Sequence, residues 1–229
     1  MTTTTRAVKP NRIISSLSSL VACNDLPDPL PSDPMPLLAA WYEDAKHSGR
    51  YDDFNAMTLA TATPDGAPSA RIVLCKALEL DPPALVFYTI YESRKGGELE
   101  ANPRAAAVFH WPHAMRQARV EGRVVRTTDD ESDAYFRTRP LLARIGANVS
   151  PQSRAIESRE GVIGEALRIG AQAALGAELR RPSHWGGYRI IPERIELWSA
   201  ASGRLHDRAL WRRDPDSDAP CWSACRLGA

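Results

Sequence analysis

Residues 117–126 read Gln-Ala-Arg-Val-Glu-Gly-Arg-Val-Val-Arg and give the clearest strand signal in the chain. Polar or charged residues alternate there with small or apolar ones, namely Ala118, Val120, Gly122 and Val124. A period of two places all four on one face of a strand, and the polar side chains on the other. We therefore expect a sheet with one buried face and one polar face.

Similar short apolar runs, separated by turn signals, occur on both sides of this strand. The other predicted strands are 57–63, 70–78, 85–91, 105–111, 188–191, 193–198, 204–211 and 221–227. The predicted helices are 36–49, 93–102, 130–139, 142–149 and 154–180, the last with apolar residues every four positions. Strands interspersed with short helices predict an α+β fold, built as an antiparallel barrel and not as a doubly wound sheet.

The composition is typical of one folded domain. The chain has 229 residues, of which 43% are hydrophobic and 25% charged, and its net charge is +1. A balanced charge gives no general attraction to nucleic acid or to an acidic membrane surface, and no apolar run is long enough to span a bilayer. Four scattered cysteines indicate reduced thiols and a cytoplasmic protein, and no grouping of residues predicts a metal site.

The first 35 residues differ from the rest of the chain. They are rich in Thr and Ser, and five prolines lie between Pro27 and Pro36. We therefore expect a flexible N-terminal arm, residues 1–35, ahead of a single domain, residues 36–229. Within the arm, Leu20-Val-Ala-Cys23 resembles a lipoprotein cleavage site, which leaves a processed N-terminus open as an alternative.

Basic residues cluster in the stretch Arg204-Leu-His-Asp-Arg208. On a strand, Arg204, His206 and Arg208 would share one face. Like charges side by side repel each other unless solvent screens them or an anion lies between them. The stretch therefore predicts either a wet surface or a phosphate or carboxylate site. Trp198 falls on the polar face of the preceding strand, where an aromatic ring meets another subunit or stacks on a ligand ring.

Two further groups of residues are candidates for anion binding. Tyr135 and Arg139 are four apart on a predicted helix, so they either converge on a common acceptor or pack against each other. The pair Arg94-Lys95 begins a helix directly after a strand, where main-chain amides also attract an anion. Arg71 and Lys76 would point to opposite faces of one unbroken strand. They therefore serve two different anions, or the strand bends.

These pieces, in this order, resemble the pyridoxine/pyridoxamine 5′-phosphate oxidase family of FMN enzymes, over about residues 36–229. Nine collinear stretches carry the resemblance: Arg71-Ile-Val-Leu-Cys-Lys76, Phe87-Tyr-Thr89, Ser93-Arg-Lys95, Arg116-Gln117, Tyr135-Phe-Arg-Thr-Arg-Pro140, Gln152-Ser153, Trp185-Gly-Gly187, Ile195-Glu-Leu-Trp198 and Arg204-Leu-His-Asp-Arg208. Any one of them is a weak signal, but nine in the same order are specific. The resemblance implies an FMN-binding split barrel that works as a homodimer, with two FMN sites at the subunit interface.

The resemblance also implies roles for individual residues. The implied FMN-binding residues are Arg71, Ile72, Val73, Leu74, Lys76, Tyr88, Thr89, Arg94, Lys95, Gln117, Gln152, Ser153, Trp198 and Arg208. The implied substrate-binding residues are Lys76, Tyr135, Arg139, Arg204 and His206, with Arg204 and His206 as the catalytic pair that fixes the substrate over the flavin. The implied reaction is oxidation of pyridoxamine or pyridoxine 5′-phosphate to pyridoxal 5′-phosphate, with dioxygen as electron acceptor and release of hydrogen peroxide.

The chain departs from the family pattern at three places. Ala143 replaces the usual phosphate-binding Ser, and residues 1–35 contain no match to the segment that covers the substrate. Ser199-Ala200 and the ending Arg226-Leu-Gly-Ala replace Gln-Gly and Arg-Leu-Ala-Pro. Two alternatives therefore stay open. One is a relative that keeps the flavin but oxidises a substrate without phosphate, as phenazine-biosynthesis oxidases do. The other is a protein that binds FMN or pyridoxal phosphate without turnover.

Overall fold

The computed structural model describes residues 26–214 and 221–228, which form five helices and nine strands. The helices are α1 Met35–His47, α2 Arg94–Ala101, α3 Asp129–Thr138, α4 Leu141–Val149 and α5 Arg159–Ala174. The strands are β1 Ala56–Ala62, β2 Pro68–Leu74, β3 Ala77–Leu80, β4 Pro83–Ile90, β5 Arg104–Trp111, β6 Arg116–Arg126, β7 Trp185–Ser199, β8 Asp207–Arg213 and β9 Trp222–Arg226.

All nine strands belong to one antiparallel sheet. The strand order is β2-β1-β5-β6-β7-β4-β3, and β8 and β9 continue the sheet from β7. Strand β7 has 15 residues; its first half pairs with β4, its second half pairs with β8, and β6 runs along its other edge. The sheet therefore branches at β7, which splits the barrel. The predicted antiparallel α+β fold is confirmed.

The core lies on the inner face of this sheet. Strand β6 alternates as predicted, with Ala118, Val120, Gly122 and Val124 buried. The largest fully buried side chains come from several different strands: Trp111, Trp211, Phe87 and Phe109. Helix α1 closes one side of the core with Leu38 and Trp41. Each such side chain contributes roughly 1.5–3 kcal/mol by leaving water, so the shared core holds the branched sheet together.

Strand β7 is continuous, although two strands, 188–191 and 193–198, were expected. The pairing register with β6 shifts between Glu121 and Gly122, where Gly122 faces Pro192 and Glu121 faces Arg194. Proline cannot donate to a strand ladder, and a bulge absorbs that missing hydrogen bond without ending the strand. The bulge also brings the two backbones close together, because a Cβ on Gly122 would lie 2.0 Å from the Ile191 carbonyl oxygen.

The predicted strand 70–78 is instead two strands, because the chain changes partners at Cys75 and Lys76. The Cys75 amide donates to the Asn55 carbonyl at 2.9 Å, beside β1, and the Lys76 amide donates to the Val86 carbonyl at 2.7 Å, on β4. The chain thus passes from one sheet edge to the other edge within two residues. The strand therefore bends between Arg71 and Lys76, which is one of the two alternatives that their spacing left open.

Helix α5 is shorter than predicted and carries its apolar stripe on the outside. Ser158 caps its start by accepting the Gly161 amide at 3.0 Å, and the helix ends at Ala174, two residues before Gly176 with φ of +94°. Leu167 on the predicted stripe is 69% exposed. The helix packs on α4 through its opposite face. Of the described residues, no helix is both long and apolar enough to cross a membrane.

The described end of the predicted arm, residues 26–34, lies against the sheet. Leu26 is buried and its amide donates to Asp207 at 3.1 Å. Trp211 Nε1 donates to the Pro31 carbonyl at 2.8 Å. Residues 1–25, including the cleavage-like stretch Leu20–Cys23, lie outside the described residues, and the division into arm and domain stays a prediction.

Gly122 provides a test of the β6–β7 register. We expect Gly122→Ala to lower the free energy of unfolding by about 2 kcal/mol or more, because a backbone oxygen occupies the space of the new methyl group. Gly97→Ala in α2 is the matched control: nothing lies within 4 Å of its added Cβ, and helix propensity favours it by up to about 1 kcal/mol. Urea unfolding at one fixed protein concentration measures both variants. Equal stabilities would contradict the bulge.

Candidate active site

A cavity of about 480 Å³ opens where β2 and β4 meet α2, α3 and α4. Ten of the residues predicted to bind cofactor or substrate lie in its wall: Ile72, Val73, Leu74, Lys76, Tyr88, Thr89, Lys95, Tyr135, Arg139 and Gln152. They come from segments that are far apart in the chain. The structure therefore brings most of one predicted site together.

Lys95 is the buried cation of this wall, with only 7% of its surface exposed. Its ammonium donates to Thr89 Oγ1 at 2.9 Å, Ser93 Oγ at 3.1 Å and Gln152 Oε1 at 2.6 Å. Burial, with a smaller effect of the Arg71 charge, lowers the pKa of Lys95 to about 8. All three acceptors are neutral oxygens, so the positive charge of Lys95 is available to an anion.

Helix α2 begins beside Lys95 and adds main-chain donors to the same region. The Ser93 side chain caps the helix by accepting the Gly96 amide at 3.4 Å, and donates to the Ile90 carbonyl at 2.6 Å. A Cβ on Gly96 would lie 1.9 Å from the Tyr91 carbonyl oxygen, so this tight entry requires glycine. The positive end of the helix dipole therefore lies next to the buried ammonium.

Arg71 and Arg94, two predicted FMN-binding residues, share one buried carboxylate rather than lining the cavity. Glu98 accepts Arg94 Nε at 2.9 Å, and Arg71 Nη2 lies 3.4 Å from the same group. Burial raises the pKa of Glu98, but hydrogen bonds from Ser69, Thr61 and Arg94 outweigh it and hold this pKa at about 2. Glu98 therefore stays ionised and holds both arginine side chains in place.

A second pair of basic side chains in the cavity wall consists of Arg139, at the end of α3, and Lys76. The Arg139 guanidinium lies over the Trp185 ring at 4.6 Å, and the Tyr135 ring stacks on Tyr88 at 3.9 Å. Arg139 Nη1 is buried and has no hydrogen-bond partner among the described residues, and burial lowers the pKa of Arg139. Lys76 lies in the same wall. A phosphate oxygen would supply the acceptor that Arg139 lacks.

Several predicted residues lie elsewhere in the chain's structure. Gln117 faces Trp198 across the β6–β7 pair, and Trp198 faces Arg208 across the β7–β8 pair. The rings of Trp198 and His206 are 4.8 Å apart. Trp185 and Trp198 lie near opposite ends of β7, separated by roughly 40 Å of strand at about 3.3 Å per residue. One chain therefore carries two separate parts of the predicted site.

The predicted strand face of Arg204, His206 and Arg208 is wrong. Strand β8 begins only after His206, and Gly203 and Arg204 have φ of +66° and +62°. These left-handed values make a turn, which an extended strand cannot contain. Arg204 is exposed, whereas Arg208 donates to the buried Glu196 carboxylate at 2.8 Å. The three residues are close in sequence but do not share one strand face.

Four residues of the cavity wall were not predicted as site residues: Thr138, Pro140, Ala143 and Trp185. Trp185 belongs to the stretch Trp185-Gly-Gly187, which resembles the family. An aromatic residue before two glycines is equally typical of a core, so the pattern alone assigned Trp185 no role. Conversely, Ser153 was predicted but lies outside the wall, exposed, with φ of +68°. Within residues 26–214 and 221–228, no group of three His, Cys, Asp or Glu side chains could hold a metal ion.

Both parts of the site fall within known family models. Residues 44–173 match the model described as pyridoxamine 5′-phosphate oxidase. Residues 185–228 match the model described as the pyridoxine 5′-phosphate oxidase C-terminal dimerisation region. The first match contains the cavity wall from Ile72 to Gln152, and the second contains Trp185, Trp198 and Arg208.

Proteins from several bacteria are similar over nearly the whole chain. A pyridoxine/pyridoxamine 5′-phosphate oxidase of Cupriavidus necator is 48% identical over 195 residues, which is 85% of this chain and 88% of the relative. One of Burkholderia vietnamiensis is 46% identical over 216 residues, which is 94% of this chain and 96% of the relative.

Solved structures agree with the fold. PhzG from Burkholderia lata 383, in complex with tetrahydrophenazine-1-carboxylic acid, has a TM-score of 0.82 and 30% identity, and the match covers 92% of this chain and all 100% of PhzG. An FMN-binding protein of Nostoc punctiforme, related to pyridoxamine 5′-phosphate oxidase, has a TM-score of 0.68 and 18% identity, with coverage of 87% and 100%. The matching models and relatives together show that the chain belongs to the pyridoxamine 5′-phosphate oxidase family.

Proposed function

We propose that this protein is a cytoplasmic, FMN-dependent oxidase of vitamin B6 metabolism. It converts pyridoxamine or pyridoxine 5′-phosphate to pyridoxal 5′-phosphate, with dioxygen as electron acceptor and hydrogen peroxide as second product. One observation carries the proposal: a single cavity wall holds two separate basic groups, Lys95 beside the start of α2, and Lys76 with Arg139. FMN and a B6 phosphate ester each bring one phosphate, so this pair of ligands needs two anion sites.

The first basic group fits the phosphate of FMN. Lys95 is a buried cation bonded only to neutral oxygens in the contacts above, and a phosphate would replace these with charge-assisted hydrogen bonds. A cavity of about 480 Å³ is in the usual size range for small-molecule sites. The remaining FMN contacts on this side are assigned to Arg71, Ile72, Val73, Leu74, Tyr88, Thr89, Arg94, Gln152 and Ser153. When bound, FMN supplies a hydride acceptor that dioxygen reoxidises.

The second part of the site completes the first across a homodimer. Gln117, Trp198 and Arg208 are not part of the cavity wall of their own chain, yet they lie in or beside the matched dimerisation region. A two-fold axis brings one chain's first part against the other chain's second part, twice. The dimer then has two FMN sites, each with the flavin ring between residues of both subunits.

The second basic group binds the substrate phosphate. Lys76 and Tyr135 join Arg139, whose buried Nη1 lacks an acceptor. Arg204 and His206 of the other subunit would hold and orient the substrate ring for transfer of a hydride to the cofactor. Orientation of this kind is worth about 7 kcal/mol or more in well-aligned cases, so these residues act by placement.

One observation favours a second candidate, an oxidase of the same family with a phosphate-free aromatic substrate. Ala143 lies in the cavity wall where the family usually has a phosphate-binding Ser. The missing hydrogen bond to a charged group is worth about 1.5–3 kcal/mol. PhzG, which is structurally similar, was solved with tetrahydrophenazine-1-carboxylic acid. Three retained phosphate partners, Lys76, Tyr135 and Arg139, favour the phosphorylated substrate.

A single anaerobic titration tests the proposal. The purified protein should be yellow, and pyridoxamine 5′-phosphate should bleach its flavin absorption because the substrate hydride is transferred to FMN. Admitting air should restore the colour and release hydrogen peroxide. Bleaching only by a phosphate-free aromatic would favour the second candidate. No bleaching by either compound would contradict both and leave a protein that binds the cofactor without turnover.

Removing the buried ammonium should cost the protein its FMN. We expect Lys95→Ala to weaken FMN binding by roughly 10- to 100-fold, the loss of one charge-assisted contact to a phosphate. Quenching of flavin fluorescence on titrating apoprotein with FMN measures the dissociation constant. Lys46→Ala is the matched control, since Lys46 is exposed and pairs with Glu43 on α1. Equal FMN affinity in both variants would exclude Lys95 from the site.

A pH series of the same FMN titration tests whether the charge of Lys95, and not only its shape, is needed for FMN binding. The pKa of Lys95 is about 8, so the amine of the apoprotein loses its proton as the pH rises past this value. Phosphate binding then requires a proton, and FMN affinity of the parent should fall by up to about tenfold per pH unit. Lys95→Arg keeps its charge and should show a flat profile. A flat profile in the parent would refute this role of the ammonium.

Arg204 should matter for turnover and not for cofactor content. We expect Arg204→Met to stay yellow and to lose most of its kcat, because the charge that orients the substrate is gone. Steady-state oxidation of pyridoxamine 5′-phosphate provides the measurement, with Arg168→Met as control, an exposed arginine that pairs only with Glu165 in the contacts found on α5. Parent-level turnover in Arg204→Met would remove Arg204 from the active site.

A further inference from the structure

We infer that Trp185 is a positioning residue: its indole holds the Arg139 guanidinium in the orientation in which this group binds the substrate phosphate. Trp185 thereby sets the preference for phosphorylated over phosphate-free substrates. The inference rests on the proposed function, because it concerns the substrate of that same cavity.

The Arg139 guanidinium lies over the ring of Trp185. Arg139 directly follows α3, and its guanidinium carbon lies 4.6 Å from the centre of the Trp185 ring. A guanidinium that stacks on an aromatic face keeps its N–H groups in its own plane, where they can still donate. Arg139 Nη1 is buried and donates to nothing among the described residues. The ring therefore fixes the orientation of Arg139 without using this donor.

The backbone of Trp185 is anchored to α3, the helix that Arg139 directly follows. The Trp185 amide donates to the Pro182 carbonyl at 3.0 Å, and its carbonyl accepts Arg181 Nη1 at 2.8 Å. Arg181 also binds Asp133 and, at 2.7 Å, Asp129, both on α3. One arginine thus ties the aromatic platform to α3.

Tyr135, the second proposed partner of the substrate phosphate, belongs to the same stack of rings. Tyr88 stacks on Trp185 with centres 5.4 Å apart and planes 12° apart, and Tyr135 stacks on Tyr88. Tyr135 lies on α3 and Arg139 directly follows this helix, so the aromatic layer supports both of them. Trp185 also packs against Phe136, edge to face at 5.3 Å. A purely structural role for Trp185 is the competing explanation.

Substrate comparison distinguishes the two explanations. For Trp185→Leu we expect KM for pyridoxamine 5′-phosphate to rise about 5- to 20-fold, and for Trp185→Phe about 2- to 5-fold, in line with the loss or weakening of a buried cation–π contact. KM for phosphate-free pyridoxamine should change by less than about twofold, because it does not use Arg139. Calorimetry of the FMN-loaded dimer with pyridoxal 5′-phosphate and with pyridoxal should show the same selective loss in binding.

Two further variants control for loosened packing. Phe136→Leu removes a ring that packs edge to face against Trp185 but keeps the indole itself, and should leave the ratio of the two KM values unchanged. In an Arg139→Ala background, Trp185→Phe should have no further effect on that ratio, because the residue through which it acts is absent. If Trp185→Leu fails to fold, Trp185→Phe provides the result.

The outcomes separate this inference from the proposed function. A parent enzyme that oxidises pyridoxamine 5′-phosphate, with an unchanged KM ratio in the Trp185 variants, would overturn the inference and leave the function standing. A similar change of the ratio in Phe136→Leu, or an additive effect in the Arg139→Ala background, would also overturn it. A parent that does not oxidise the phosphate ester would refute the function itself, and calorimetry with pyridoxal 5′-phosphate would still test the Trp185–Arg139 pair.

Discussion

Strand β7 is the constraint on which the rest of the molecule depends. It pairs with β6 along one edge and with β4 and then β8 along the other, so three strands share its 15 residues. A strand this long stays within one small barrel only if it coils, and the bulge at Gly122 and Pro192 provides that bend. The two ends of β7 carry Trp185 and Trp198. The same pairing that closes the core therefore separates the two parts of the site.

The cavity depends on cations that are buried before any ligand arrives. Burying Lys95 and the edge of Arg139 has a cost, visible in the lowered pKa of each group. Neutral hydrogen bonds and ring contacts offset part of that cost: hydroxyl and amide oxygens surround Lys95, and an indole covers Arg139. Because no carboxylate neutralises either group in these contacts, both remain able to attract phosphate. Glu98 has the complementary role, since its ionised carboxylate holds Arg71 and Arg94 in place behind the helix.

Much of the fold was predictable because the local signals agree with the final structure. The alternation in 117–126 predicted β6, and the predicted helix 93–102 agrees with α2 within one residue at each end. The errors have one common cause: the chain changes partner or direction where the residue pattern continues. Apolar residues run through Cys75 although the backbone moves from β1 to β4, and the alternation of Arg204 with Arg208 continues through a left-handed turn. Periodicity records side-chain polarity and does not record which backbone groups are paired.

By itself, the sequence determined the antiparallel α+β fold, the family resemblance and most of the residues that meet at the cavity, because these follow from local periodicity and from the order of short stretches. The tertiary structure decided which cations already have a carboxylate partner. Arg71 and Arg94 are bound to Glu98, whereas Lys95 has only neutral partners and Arg139 has an open donor. The tertiary structure also decided the role of Trp185. Its indole stacks on Arg139 and so joins the start of β7 to the end of α3. Such contacts depend on distances between elements far apart in the chain, which no local pattern encodes.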